Sequence, residues 1–131
     1  MPRPEQYQRI AERYETAGGL IHPDVPEACG FAACHAFESI GCAWIRHRNH
    51  SVPRGHASKI NLFVTLSRGE SFGRGVAYIA NLTNSLRNKM LYPVDDGTGG
   101  YILPENVLSD KDAYDLLRRV QGIIRQVSRS L

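Results

Sequence analysis

The segment between residues 24 and 47 constrains the fold of this chain more than any other. Its residues are mostly apolar, and they fall on more than one face of a helix. A helix that is apolar on most sides must be covered by several neighbours, and small residues let those neighbours come close. We therefore predict a central helix that is capped by Asp24, with Glu27 at the capping-box position, and that runs to about His47. Its small residues are Ala28, Gly30, Ala32, Ala33, Ala36, Gly41 and Ala43, and its larger apolar ones are Phe31, Phe37, Ile40, Trp44 and Ile45.

Two further helices are predicted on either side of this segment. The first covers residues 4–17, where apolar residues recur at spacings of three and four, and Gly18 with Gly19 should stop it. The other starts near His56, after a polar loop. Its apolar stripe consists of Ile60, Phe63, Val64 and Leu66.

The last two predicted helices lie in the second half of the chain. One covers residues 76–92 and should end near Tyr92, because Pro93 has no N–H and disfavours helical geometry at the residue before it. The other begins after Ser109, which can cap it, and Asp112 follows three residues on. The apolar stripe of this last helix is uninterrupted: Ala113, Leu116, Leu117, Val120, Ile123, Ile124, Val127 and Leu131.

No strand pattern of comparable strength and no internal repeat accompanies these helices. A chain of 131 residues suffices for one domain with a modest core. We therefore predict a single all-α domain over residues 1–131, an up-and-down antiparallel bundle of about five helices. Residues 94–108 should form an irregular, glycine-rich loop, either an ordinary connector or a lid over a site that precedes it.

Composition narrows the class of protein. Hydrophobic residues make up 42% of the chain and charged residues 22%, as in soluble globular proteins. No apolar run approaches the roughly 18 residues of a membrane span, and Met-Pro-Arg-Pro is not a signal peptide, so we expect a cytoplasmic protein without membrane contact. The net charge of +3 permits contact with nucleic acid but does not argue for it. The three cysteines should be buried thiols: Cys29, Cys34 and Cys42.

Two further motifs do not match the patterns of known binding sites. Cys42, His47 and His50 offer zinc-binding side chains, but they fit no standard zinc pattern and no fourth ligand is evident. The run Asp95-Asp96-Gly97-Thr98-Gly99-Gly100 lacks the lysine and hydroxyl residue of a phosphate-binding P-loop, and no strand precedes it. We predict no metal ion and no cofactor.

Two polar residues of the central helix need an explanation. His35 lies among small apolar residues, where a hydrogen-bonded core histidine is the common outcome and a binding role is the alternative. Glu38 is three residues further on and shares its face. Because an unpaired buried carboxylate is costly, Glu38 should be either exposed or paired inside the fold.

Four motifs, in order along the chain, resemble the HEPN domain family (higher eukaryotes and prokaryotes nucleotide-binding). Residues 33–40, Ala-Cys-His-Ala-Phe-Glu-Ser-Ile, resemble its second helix. His56 follows a basic loop and opens a helix, as a histidine often does in that family. Leu86-Arg87-Asn88 resembles the Leu-Arg-Asn that starts the family's arginine–polar–three residues–histidine motif, and residues 109–113 resemble the acidic opening of its last helix.

The resemblance implies a helical bundle that pairs into a homodimer, with contacts that involve the helix carrying Arg87. In many members the paired motifs form a metal-independent ribonuclease site, and such members act as toxins beside a small nucleotidyltransferase antitoxin. Other members are non-catalytic binding modules. Arg87 matches the motif arginine, Asn88 its polar position, and Glu38 the acid that could position the arginine.

The motif departs from the family at its end, where Tyr92 occupies the histidine position. The pKa of a phenol is near 10, against about 6.5 for imidazole, so tyrosine is a poor proton shuttle at neutral pH. His56 or His35 could replace it. In some toxin members a tyrosine near the motif receives a nucleotide from the partner transferase, but the histidine that precedes it by two residues is Met90 here.

Two functions therefore follow from the resemblance. The first is a catalytically degenerate module that either binds nucleotide or RNA, through Arg87, Asn88, Glu38, His35 and His56, or is associated with a toxin–antitoxin system. The second is an active endoribonuclease toxin with Arg87, Asn88 and Tyr92 in its site. An arginine fork suits either role, because it can hold phosphoryl oxygens as well as the negative charge that grows on them during cleavage.

Overall fold

Five α-helices account for most of the chain in the computed structural model, which describes residues 1–131. They are α1 (Pro4–Ile21), α2 (Pro26–His47), α3 (His56–Ser67), α4 (Gly73–Leu86) and α5 (Asp110–Ser130). Each helix packs against the next one along the chain, and α5 also packs against α1 and α2. The predicted all-α, up-and-down bundle of five helices is confirmed.

Helix α2 is the centre of the bundle. Every residue from Cys29 to Ile45 is buried except Phe31 and His35. By length and hydropathy α2 could cross a membrane, but 83% of its most apolar window is covered inside the bundle. Its small residues permit close packing, since a methyl group on Gly41 would lie 2.6 Å from the Phe63 ring.

Two helix boundaries differ from the prediction in the first half of the chain. Helix α1 continues through Gly18 and Gly19 to Ile21. Gly18 is buried there, and a methyl group on it would lie 3.1 Å from Leu117, so this glycine serves helix packing and does not terminate the helix. Asp24 does not cap α2, because Val25 occupies the N-cap position without a side-chain hydrogen bond.

The end of α4 is a more consequential correction. Helix α4 begins at Gly73 and ends at Leu86, Arg87 is its C-cap, and a 3-10 turn, Asn88–Met90, follows. Met90 is buried, and its sulfur would lie 2.7 Å from a methyl group on Gly30. The α-helix gives way to a 3-10 turn here because Met90 packs onto α2. Arg87 is consequently at the helix terminus instead of within the helix.

The segment between α4 and α5 is more regular than predicted. A short antiparallel hairpin pairs β1 (Val94–Asp95) with β2 (Tyr101–Ile102), and a 3-10 turn, Pro104–Asn106, follows. The turn of the hairpin is held by one Asp96 carboxylate oxygen, which accepts hydrogen bonds from the backbone N–H groups of Thr98 and Gly100. The predicted capping of α5 is confirmed, since the Asp112 N–H donates to Ser109 Oγ at 3.1 Å.

Candidate functional site

A cleft of about 380 Å³ lies between α2, the first turn of α3 and the end of α4. Four of the six residues predicted for the site line it: Glu38, His56, Arg87 and Asn88. They come from three elements that are distant in sequence, so the packing of the bundle is what brings them together. The rest of the lining is Cys34, Gly55, Ala57, Ser58, Ile60, Thr83 and Asn84.

Glu38 is the buried acid of this cleft. Only 5% of the residue is exposed, and both of its carboxylate oxygens lie within hydrogen-bond distance of His56 Nδ1, at 2.8 and 2.9 Å. Lys59 Nζ lies 3.3 Å from Oε1. Burial acts to raise the pKa of Glu38, but the hydrogen bonds and charges of His56 and Lys59 outweigh it, so the pKa falls below its ordinary value. Of the two alternatives expected for this carboxylate, exposure or pairing inside the fold, the structure shows the second.

The His56 ring is held by one nitrogen and open at the other. Its Nδ1 faces the Glu38 carboxylate, and 54% of the side chain is exposed. A carboxylate on one ring nitrogen fixes the orientation and the tautomer of an imidazole, so that the other nitrogen, Nε2, can exchange protons. His56 is therefore a positioned imidazole at the edge of the cleft.

Arg87 also lines the cleft, and its guanidinium has no hydrogen-bond acceptor within the protein. Its guanidinium carbon lies 5.3 Å from the centre of the Phe31 ring, a cation–π contact. Its Nε is buried and has no hydrogen-bond partner, and none of the four ion pairs of the structure includes Arg87. The family resemblance implies that Glu38 positions the arginine. Glu38 instead pairs with His56 and Lys59.

Backbone N–H groups in the first turn of α3 also contribute to the charge of the cleft. Residues 55–58 all line the cleft, and no side chain caps this helix end. The first N–H groups of a helix lack intrahelical acceptors and carry partial positive charge. Lys59 does not line the cleft, but its charge offsets that of the Glu38 carboxylate. Arg87 and these N–H groups therefore make the cleft positive whether or not His56 is protonated.

The other two predicted site residues lie outside the cleft. Tyr92 is 62% exposed beyond the 3-10 turn, and its N–H donates to the Asn88 carbonyl. His35 is half-buried on α2, where its ring packs against Tyr14 and Phe31 and makes no hydrogen bond. Burial lowers the pKa of His35, with Glu38 acting in the opposite direction and Arg87 adding to the decrease.

The cysteines are free, buried thiols, as predicted. Cys34 lines the cleft, but burial raises the pKa of its thiol to about 12, against the effect of the nearby Arg87 charge. Burial likewise raises the pKa of Cys42 to about 11. Since the thiolate is the reactive form, neither residue serves as a nucleophile at neutral pH.

Three residues that line the cleft or contact its charged side chains were not singled out from the sequence, although helical spacing points to them. Lys59 follows His56 by three residues and therefore shares its face of α3. Asn84 precedes Arg87 by three residues. Phe31 precedes Glu38 by seven, two turns back on the same face of α2.

No protein-family model, no curated protein and no solved structure matches this chain. No group of three or more histidine, cysteine or acidic side chains is arranged to hold a metal ion. The chemistry of the cleft is therefore what bears on function.

Proposed function

We propose that the cleft binds the phosphate groups of RNA or of a nucleotide, with Arg87 and Asn88 as ligands of the phosphate oxygens. The observation that carries the proposal is the free guanidinium of Arg87, which faces a positive cleft and has no protein acceptor. Phosphate offers such a fork two acceptor oxygens, and the uncapped N–H groups of α3 add further donors. The resemblance of the Leu86-Arg87-Asn88 motif to HEPN domains supports the same class of ligand, while the homodimer and the nucleotidyltransferase partner stay predictions.

The test is the affinity of the protein for a labelled single-stranded RNA at low salt, measured by fluorescence anisotropy. Arg87→Gln should weaken binding about tenfold or more, because it removes charge-assisted hydrogen bonds to phosphate. The matched control is Arg129→Gln, at an exposed residue in the last turn of α5 that does not line the cleft. Undetectable binding by the unaltered protein, or equal loss with both substitutions, would refute the proposal.

The His56–Glu38 pair favours a second function for the same cleft, metal-independent cleavage of RNA. His56 Nε2 would take the proton of a ribose 2′-OH, whose oxygen forms a bond to phosphorus while the bond from phosphorus to the 5′-oxygen breaks. Arg87 would stabilise the negative charge on the phosphoryl oxygens. The leaving 5′-oxygen would take a proton from water, and His56 would later release its proton to solvent. Glu38 would position the imidazole, and the exposed Tyr92 would take no part.

The same RNA, incubated with the protein in EDTA, distinguishes the two functions. If the cleft is an active site, Arg87→Gln and His56→Gln should each slow cleavage about 100-fold or more. Tyr92→Phe and His47→Gln should not, because neither residue lines the cleft. RNA that is bound but stays intact would exclude the enzyme and leave the binding function in place.

A further inference from the structure

Beside the cleft, α2 comes to the surface at one place. Between Cys29 and Ile45 only Phe31 and His35 are not buried, and they lie on adjacent turns of one helical face. Tyr14 of α1, which is 39% exposed, flanks them on one side, and Arg87 flanks them on the other. We call Tyr14, Phe31 and His35 the aromatic window.

The rings of the window form a continuous surface that leads to the cleft. The centres of Tyr14 and His35 are 4.2 Å apart in an edge-to-face contact, and those of His35 and Phe31 are 6.5 Å apart with nearly parallel planes. The Arg87 guanidinium then covers Phe31. Arg87 is thus the boundary between the two regions, since it lines the cleft and also contacts the window.

We infer that the aromatic window is a base-binding subsite, where a nucleobase stacks against His35 and Tyr14 while the phosphate of the same nucleotide lies at Arg87. This inference rests on the proposed phosphate-binding function and names the ligand more closely. Within one nucleotide only a sugar separates base from phosphate, and aromatic rings and arginine planes are the usual stacking partners of unpaired bases. The ligand is therefore a nucleotide or single-stranded RNA, and phosphate alone or duplex RNA would leave the window unused.

The experiment compares two ligands that differ only in the base, adenosine monophosphate and ribose 5-phosphate, as competitors for the labelled RNA. The unaltered protein should bind the nucleotide about tenfold more tightly, a typical effect of stacking one base. Tyr14→Leu should remove this preference and leave the affinity for ribose 5-phosphate unchanged. Phe31→Leu should weaken both ligands, because Phe31 also supports Arg87.

A matched control exists on another face of the molecule. Tyr114 is 40% exposed and also packs against a histidine, His22, but it belongs to α5. Tyr114→Leu should therefore retain the full preference for the nucleotide. Chemical shifts of the Tyr14 and His35 rings on addition of the nucleotide give a second readout that does not require a substitution.

The possible failures are distinguishable. Equal affinity for the two competitors would overturn the base subsite and leave phosphate binding intact. Loss of preference with Tyr114→Leu as well as with Tyr14→Leu would also overturn it, since the effect would not be specific to the window. A protein that binds neither competitor nor RNA would overturn both proposals together.

Discussion

At the scale of single residues, Glu38 is the buried carboxylate that depends most on its partners. Its carboxylate lies on the central helix of the bundle, where an unpaired charge would cost several kcal/mol. His56 and Lys59 approach it from the next helix and keep it ionised. The pair therefore joins α2 to the first turn of α3 at the mouth of the cleft, and it stabilises the fold while it orients His56.

Glu38→Gln should lower the free energy of unfolding at neutral pH by about 2 kcal/mol, because it leaves a buried amide and removes the carboxylate that pairs with His56 and Lys59. The pKa of Glu38 is lower in the folded protein than in the unfolded chain. Its contribution to stability is consequently complete above the unfolded pKa of about 4.3 and is lost as pH falls through the folded value. The difference between variant and unaltered protein should shrink in that acid range, as measured by urea unfolding at a series of pH values.

Glu70→Gln is the matched control for this prediction. Glu70 lies 3.8 Å from Arg48 in an ion pair whose two side chains are both more than a third exposed. Such pairs contribute about 0.5 kcal/mol or less, so the substitution should change stability little at any pH. A Glu38→Gln effect as small as that of Glu70→Gln would mean that the buried pair does not stabilise the fold.

Four of the six candidate site residues line the cleft, and the resemblance to HEPN domains is what singled them out in the sequence. Only Glu38 also has a local signal, as a charge on an apolar helix. Tyr92 is grouped with Arg87 only by the spacing of the family motif, and regular helix is predicted to continue as far as Tyr92. The chain turns at Arg87 instead and leaves the phenol exposed.

At the scale of elements, glycines of α2 make room for large side chains of the segments packed against it. Gly30 accommodates Met90 and Leu108, and Gly41 accommodates Phe63. The contact at Gly30 fixes the 3-10 turn after Arg87 and hence the position of the arginine at the cleft. Capping and periodicity are local signals and predicted the start of α5, whereas the end of α4 depends on a residue some sixty positions earlier in the chain.

Gly41→Ala should destabilise the bundle by about 2 kcal/mol. Its methyl group would lie 2.6 and 2.9 Å from two ring atoms of Phe63, which is fully buried against Phe37 and has no room to move. Gly122→Ala is the matched control, since Gly122 is also within a helix but has nothing within 4 Å of the added methyl group.

The control substitution should stabilise the protein by up to about 1 kcal/mol through helix propensity alone. Both variants gain this propensity, so the difference between their free energies of unfolding in urea isolates the contact with Phe63. A Gly41→Ala variant as stable as Gly122→Ala would contradict the close packing of α2 against α3.

At the scale of the whole molecule, the fold class was predictable because it depends on sums of many local signals. Five helical patterns, most of them joined by short connections, leave few arrangements other than an antiparallel bundle. The cleft was less accessible to prediction, since its walls come from α2, α3 and α4 and its shape depends on how these helices pack. The aromatic window is a stronger case, because it combines Phe31 and His35 of α2 with Tyr14 of α1 and borders Arg87 at the end of α4.

One core runs through all five helices, and we expect it to unfold in a single cooperative transition. Trp44, the only tryptophan, reports on this core: it is buried in α2, packs against Phe72 and donates a hydrogen bond to the Leu66 carbonyl at 2.9 Å. Unfolding curves in urea from tryptophan fluorescence and from far-ultraviolet circular dichroism should therefore coincide in midpoint and slope. The hairpin β1–β2 is exposed outside the core, so its amide protons should exchange before this transition. A loss of helical signal that precedes the change in Trp44 fluorescence would show that one helix separates from the bundle on its own.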